Sequence, residues 1–182
     1  MRLMNPIVID TNCLLQIIAR RSPYRPIWDA FLLGRYDLCV SNEILDEYQE
    51  ILSQQITPTI AENVILLMLN QPNVRLITPY FRLQLINTDP DDNKFVDCAF
   101  ASGADYIVTE DSHFEVLKHT PFPLLNLVSL DEFLHNRLII PPDAGASGEG
   151  CEQVGNDIAA AADKDEVGCV GFLQSLTIGI AD

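Results

Sequence analysis

DPDDNKFVDCAFASGADYIVTEDSHF, residues Asp89–Phe114, decides how this chain folds. It opens on an acidic turn and continues into a helix with Phe95, Val96, Ala99 and Phe100 on its apolar side. Gly103 ends that helix, and Asp105-Tyr106-Ile107-Val108-Thr109 reads as a short buried strand that meets Glu110 and Asp111. Asp92 then stands at a helix start and Asp111 just past the carboxyl end of a strand. Three acids, Asp89, Asp91 and Asp92, exceed what a helix cap requires, although each would suit the helix dipole. In open parallel sheets ligands bind outside the carboxyl ends of the strands, so two carboxylates delivered there suggest a divalent cation.

The same join occurs once more. FLLGRYDLCVS at residues 31–41 repeats the helix–Gly–strand order of FASGADYIVTE, as right-handed βαβ units do. Upstream, Pro6-Ile7-Val8-Ile9 reads as a buried strand that ends on Asp10. Asp10 could cap the helix carrying Leu14, Leu15, Ile17 and Ile18, but Thr11 and Asn12 cap equally well. A carboxylate at the end of a buried strand is costly unless something pairs with it. Strands alternate with helices through residues 1–140, which predicts a three-layer α/β/α sandwich around a parallel sheet.

The remaining elements follow from their punctuation. A helix is expected over Ile27–Leu33, then a strand over Tyr36–Val40, and a helix capped by Ser41-Asn42. On that helix Ile44, Leu45, Tyr48, Ile51 and Leu52 form one stripe, and Glu47 lies on its border, better aimed at the protein than Glu43, Asp46 or Glu50. A border glutamate also commonly snorkels to water. Thr57-Pro58 starts a helix to about Asn70, and Val74–Thr78 is a strand or extended link. Residues 79–88 read as a loop or one-turn helix, and a helix is expected over Ser112–Lys118. Leu124–Val128 reads as the last strand, followed by a capping box at Ser129–Glu132 and a helix to about Arg137.

Charge separates the chain into two parts. Its net charge is −15; residues 1–140 hold 18 acids and 10 bases, and residues 141–182 hold 8 acids and 1 base. After Pro141-Pro142 the composition turns to Gly, Ala, Ser and acids, an acidic tail that reads as disordered or loosely docked. Such acidity argues against non-specific nucleic-acid binding, yet not against an enzyme whose bound cations reverse the local sign. Five cysteines without zinc spacing, and no room for a signal peptide before Asp10, suggest a reducing, cytoplasmic setting. No apolar run approaches the ~20 residues of a membrane span.

Asp10, Glu47, Asp92 and Asp111 are the side chains best placed to meet at the sheet's carboxyl edge. Four anions together repel, and oxygen-only ligation of Mg²⁺ or Mn²⁺ relieves that better than zinc would. No cysteine or histidine competes, and no glycine-rich phosphate loop or Ser–His–Asp set is present. Such a site suits metal-activated water attacking a phosphate. Arg20, Arg21 and Arg25 form the only local basic cluster, either a solvated helix end or a contact for substrate phosphate. His113, two residues from Asp111, could touch substrate or simply pack.

The sequence resembles the PIN domain family. The resemblance rests on IVIDTN (Ile7–Asn12), SNEILDEY (Ser41–Tyr48), DPDDNKFVDCA (Asp89–Ala99) and VTEDSHF (Val108–Phe114), and spans roughly residues 5–138. It implies a sheet order of 3-2-1-4-5 and an endoribonuclease using Mg²⁺ or Mn²⁺ held by Asp10, Glu47, Asp92 and Asp111. Thr11, Asn12 and Thr109 fall at positions that support the acids. It further implies the toxin of a toxin–antitoxin pair, hence an RNA substrate, a cognate antitoxin and a homodimer. Glu110 departs from the family pattern by adding charge beside the site, and the acidic tail lies outside it. A non-catalytic PIN-like module binding a partner protein or RNA is the alternative. A small-molecule phosphatase fits poorly, because Asp10-Thr11-Asn12 lacks a second acid two residues on.

Overall fold

The structure, a computed structural model, describes residues 5–138. The expected disorder or loose docking of the tail at 141–182 lies outside the described residues. Five strands form one parallel sheet: β1 (Pro6–Ile9), β2 (Asp37–Val40), β3 (Val74–Leu76), β4 (Tyr106–Val108) and β5 (Leu127–Val128). Their order is β3-β2-β1-β4-β5, the 3-2-1-4-5 arrangement expected. Helices flank the sheet: α1 (Thr11–Ile18), α2 (Arg25–Leu32), α3 (Asn42–Gln55), α4 (Pro58–Leu69), α5 (Asn93–Ser102) and the short α6 (Leu130–Glu132). Among the described residues no helix is long and apolar enough to cross a membrane.

Register brings the chemistry to one edge. Ile7, Val8 and Ile9 of β1 pair with Tyr106, Ile107 and Val108 of β4, so both strands end abreast. Asp10 and Thr109 are the next residues, and the Asp10 amide donates to the Val108 carbonyl at 2.9 Å. Ile7, Val8, Ile9, Ile107 and Val108 are buried, as the continuous apolar runs of central parallel strands require. Gly34 and Gly103 both adopt φ of 63°, the left-handed turn that glycine accepts without strain, and each sends the chain from a helix back into a strand.

α3 is set by its cap and its stripe. The Ser41 hydroxyl accepts the Ile44 amide at 3.3 Å, and Ile44, Leu45, Tyr48 and Leu52 are buried. The Tyr48 hydroxyl donates to the Ile9 carbonyl oxygen, tying α3 to the end of β1 immediately before Asp10. Cys13, Cys39 and Cys98 are free and fully buried, as small core residues.

Several boundaries differ from expectation. α2 starts at Arg25 rather than Ile27, because Pro26 fits the first helical turn instead of breaking it. The acidic turn is a 3₁₀ segment, Pro90–Asp92, before α5, and Ser112–His119 is a 3₁₀ helix. The last strand is only Leu127–Val128; Leu124, 83% exposed, has no strand beside it. After α6 the chain continues as a π turn over Phe133–Arg137.

Candidate metal centre

Asp10 occupies the cap position of α1, yet its side chain makes no capping bond. Its Oδ2 instead accepts the Thr109 hydroxyl at 3.1 Å, and that hydroxyl oxygen accepts the Asp111 amide at 3.0 Å. One threonine therefore joins the ends of β1 and β4 and orients two acids. Asp10 is only 4% exposed. Burial raises its pKa to about 6, opposed by the Thr109 hydroxyl and the nearby Asn12 amide and reinforced by the Asp111 and Glu47 charges.

Glu47 reaches the same place from the middle of α3. Its Oε1 accepts the Thr11 hydroxyl at 2.6 Å, and its Oε2 lies 2.5 Å from the Lys94 ammonium. The border position on the helical stripe is thus turned inward, against the first residue of α1 and the start of α5.

Asp92 and Asp111 complete the group. Asp111 caps the 3₁₀ helix by accepting the His113 amide at 2.8 Å. The His113 Nδ1 stands 3.5 Å from Asp92 Oδ2 and 3.4 Å from Asp111 Oδ1. Asp92 Oδ2 and His113 Nδ1 are both buried without a hydrogen-bond partner. Burial, then the charges of Asp89, Asp111 and Asp10, raise the Asp92 pKa to about 6, with His113 opposing. Buried polar atoms are seldom left unpaired, so these two point to something the protein itself does not supply.

Asp10, Glu47, Asp92 and Asp111 all line one cleft of about 1060 Å³, together with Thr11 and Asn12. Ten acids and two bases line it. Ligand atoms of Asp89, Asp92 and His113 lie within 4.8 Å of one another, close enough to share one ion. A hard dication fits this donor set, in which carboxylate oxygens dominate and the buried Asp92 Oδ2 has no hydrogen-bond partner. The expectation that no histidine competes for the site fails, since His113 stands between two of the acids. Asp89, in sequence one of three acids in the turn, belongs to this group as well.

Residues 6–113 match the PIN domain family. The chain is a PIN domain protein. Among curated proteins none matches it. Among solved structures it is similar to VapBC2 from Rickettsia felis bound to a DNA fragment from their promoter, at TM-score 0.50 and 16% identity. That match covers 68% of this chain and 98% of the other. VapBC-1 from nontypeable Haemophilus influenzae matches at the same score and identity, over 69% of this chain and 98% of its own. At such identity the likeness concerns the fold.

In this PIN domain the basic residues of the cleft are not those singled out from sequence. Arg20, Arg21 and Arg25 do not line it. Arg25 donates to the Ile18 carbonyl at 2.9 Å and pairs with Asp29, which fastens the turn between α1 and α2. Lys94 and Arg82 line the cleft instead. Arg82, in the irregular segment between β3 and α5, donates to Glu43 at 2.8 Å and lies 3.6 Å from the buried Asp97. Asp97 accepts the Leu83 amide at 2.9 Å, and Asn93 bonds both the amide and the carbonyl of Ile86. That segment had no period to read, so its partners were hidden; Asn93, beside the acids of the turn, was the one visible hint. Glu110 does not load the cleft either, because its carboxylate accepts the Leu130 amide at 2.7 Å, at the start of α6.

Proposed function

We propose that this PIN domain is a Mg²⁺- or Mn²⁺-dependent endoribonuclease, the toxin of a toxin–antitoxin pair. The observation that carries the reading is the convergence of Asp10, Glu47, Asp92 and Asp111 on one cleft, with Asp92 Oδ2 buried and unpaired. Those four residues would hold the cation, with Asp89 and His113 beside them. A bound dication supplies positive charge at the scissile phosphate and acidifies the attacking water. The chain's own contribution is orientation. Thr109 aims Asp10 and fixes the Asp111 backbone through a neutral donor and acceptor that leaves the carboxylate charge available, and Thr11 together with Lys94 aims Glu47. The antitoxin part of the reading rests on the motif resemblance, and the likeness of fold to VapBC structures supports it; a homodimer rests on the motif resemblance alone.

The test uses the full chain, mixed structured and single-stranded RNAs, and Mg²⁺ or Mn²⁺ against EDTA. Internal cleavage is expected with either metal and is lost in Asp10→Asn and Asp92→Asn. A parent that cuts nothing, or variants that cut as it does, would exclude catalysis at this cleft and leave a module that binds a protein or RNA partner. Co-expression with a protein encoded beside it should then give a stable complex if the pairing is right.

A further inference from the structure

Both oxygens of Glu47 are already engaged by the chain. Thr11 donates to one at 2.6 Å, and the Lys94 ammonium lies 2.5 Å from the other. Lys94 also donates to the Asp91 carbonyl oxygen at 2.8 Å, so its head is gripped between α3 and the acidic turn. Its side chain is 16% exposed, against 51% for Lys118 on the surface. A helix lysine ordinarily carries its charge out to water, and this one turns it inward. The other base lining the cleft, Arg82, is 56% exposed and paired with Glu43 at the outer end of α3. Among the cleft's bases Lys94 therefore serves the inner acids.

The two partners of Glu47 respond differently to an arriving dication. The Thr11 hydroxyl is neutral and can stay. The ammonium is a like charge held against one of the four carboxylates proposed to hold the ion, and repulsion in a partly desolvated cleft is strong. We propose that Lys94 is a built-in counter-ion, which holds Glu47 in the metal-free protein and releases it when a divalent cation loads. The inference rests on the metal-dependent reading above and adds a regulatory element to it. Without metal, the pair keeps Glu47 in position. With metal, the ion must outcompete an internal cation, which sets a threshold concentration for loading the site.

Calorimetric titration of the full chain with MgCl₂ and MnCl₂ tests this. Lys94→Met should bind the ion about tenfold tighter than the parent, because a competing charge is gone. Lys118→Met, which removes an equal charge paired outside the cleft, should stay within about twofold of the parent. Binding by Lys94→Met that equals or falls below the parent's overturns the proposal. A second measurement needs no variant: pulse acetylation of the parent, read by mass spectrometry. Lys94 should label slowly in EDTA and several-fold faster at saturating metal, while Lys118 labels equally in both. Unchanged or slower labelling of Lys94 in a sample that binds the ion also overturns it. A parent that shows no binding heat removes the metal reading and this proposal together, whereas heat without a Lys94 response removes only the counter-ion role.

Discussion

Replacing Asp10 with asparagine is expected to stabilise the metal-free protein at neutral pH, although it should abolish activity. Asp10 is almost wholly buried, and burial lifts its pKa from 3.8 to about 6. In the unfolded chain the carboxyl titrates near its ordinary value. Below pH 3.8 it is protonated in both states and folding is indifferent to it. As pH rises toward 6 the unfolded state ionises first, so stability falls; above 6 the loss is complete and constant. At about 1.4 kcal/mol per pKa unit the loss approaches 3 kcal/mol, an upper bound because Asp111 and Glu47 share the strain. Asparagine keeps the shape and an acceptor oxygen for the Thr109 hydroxyl while removing the charge. In EDTA at neutral pH, Asp10→Asn should therefore gain about 1–3 kcal/mol, roughly 3–10 °C in Tm for a domain of this size. The gain should shrink steadily toward pH 4. Saturating Mg²⁺ should raise the parent's Tm far more than the variant's, by linkage. Thermal melts across pH, with and without metal, read all of this. A variant less stable than the parent in EDTA at neutral pH, or a difference that is flat across pH, refutes the reasoning.

Two further changes probe the scaffold that presents the acids. Tyr48→Phe removes the bond from a fully buried hydroxyl to the Ile9 carbonyl and should lower stability by about 1–2 kcal/mol, seen as a lower urea midpoint at unchanged slope. Gly103→Ala meets no atom within 4 Å, so only its φ of 63° resists the methyl group; a loss of about 1 kcal/mol in the same assay is expected, and a neutral result would contradict it.

The parallel sheet was readable because β1 and β4 are short apolar runs closed by Asp10 and Thr109 and the returns into β2 and β4 are marked by Gly34 and Gly103, whereas its strand order came from the family resemblance. Asp10, Asp92 and Asp111 could be placed for the same reason: they sit at element ends, where direction is set by topology alone. Glu47 needed a helical wheel, and its partners Thr11 and Lys94 lie 36 and 47 residues away in the chain. No local pattern announces such a pairing. Arg82 was hidden more deeply, in a segment with no hydrophobic period, where bonds from Leu83 to Asp97 and between Ile86 and Asn93 take the place of secondary structure. The arginines at 20, 21 and 25 misled because clustering of like charges was visible whereas the Ile18 carbonyl that holds Arg25 was not. His113 carries no ligand signal in the sequence, where His113, His119 and His135 are too scattered to form a zinc set. A single histidine joining carboxylates needs no such set.

The pattern of donors argues that the cleft's excess charge is kept on purpose. Asp10 and Glu47 take hydroxyls, Asp89 and Asp111 take backbone amides, and Asp92 takes no donor on its buried oxygen. Neutral donors fix where a carboxylate points without cancelling its charge, which is what a site awaiting a cation requires. If stability alone governed the arrangement, the arginine available nearby would serve the buried acids. Arg82 instead makes its closest contacts with Glu43, half-exposed at the outer end of α3, and reaches the inner Asp97 only at 3.6 Å. The domain thus forgoes stability where the acids converge, the usual mark of a functional site, and Lys94 is the one concession it makes to the repulsion there.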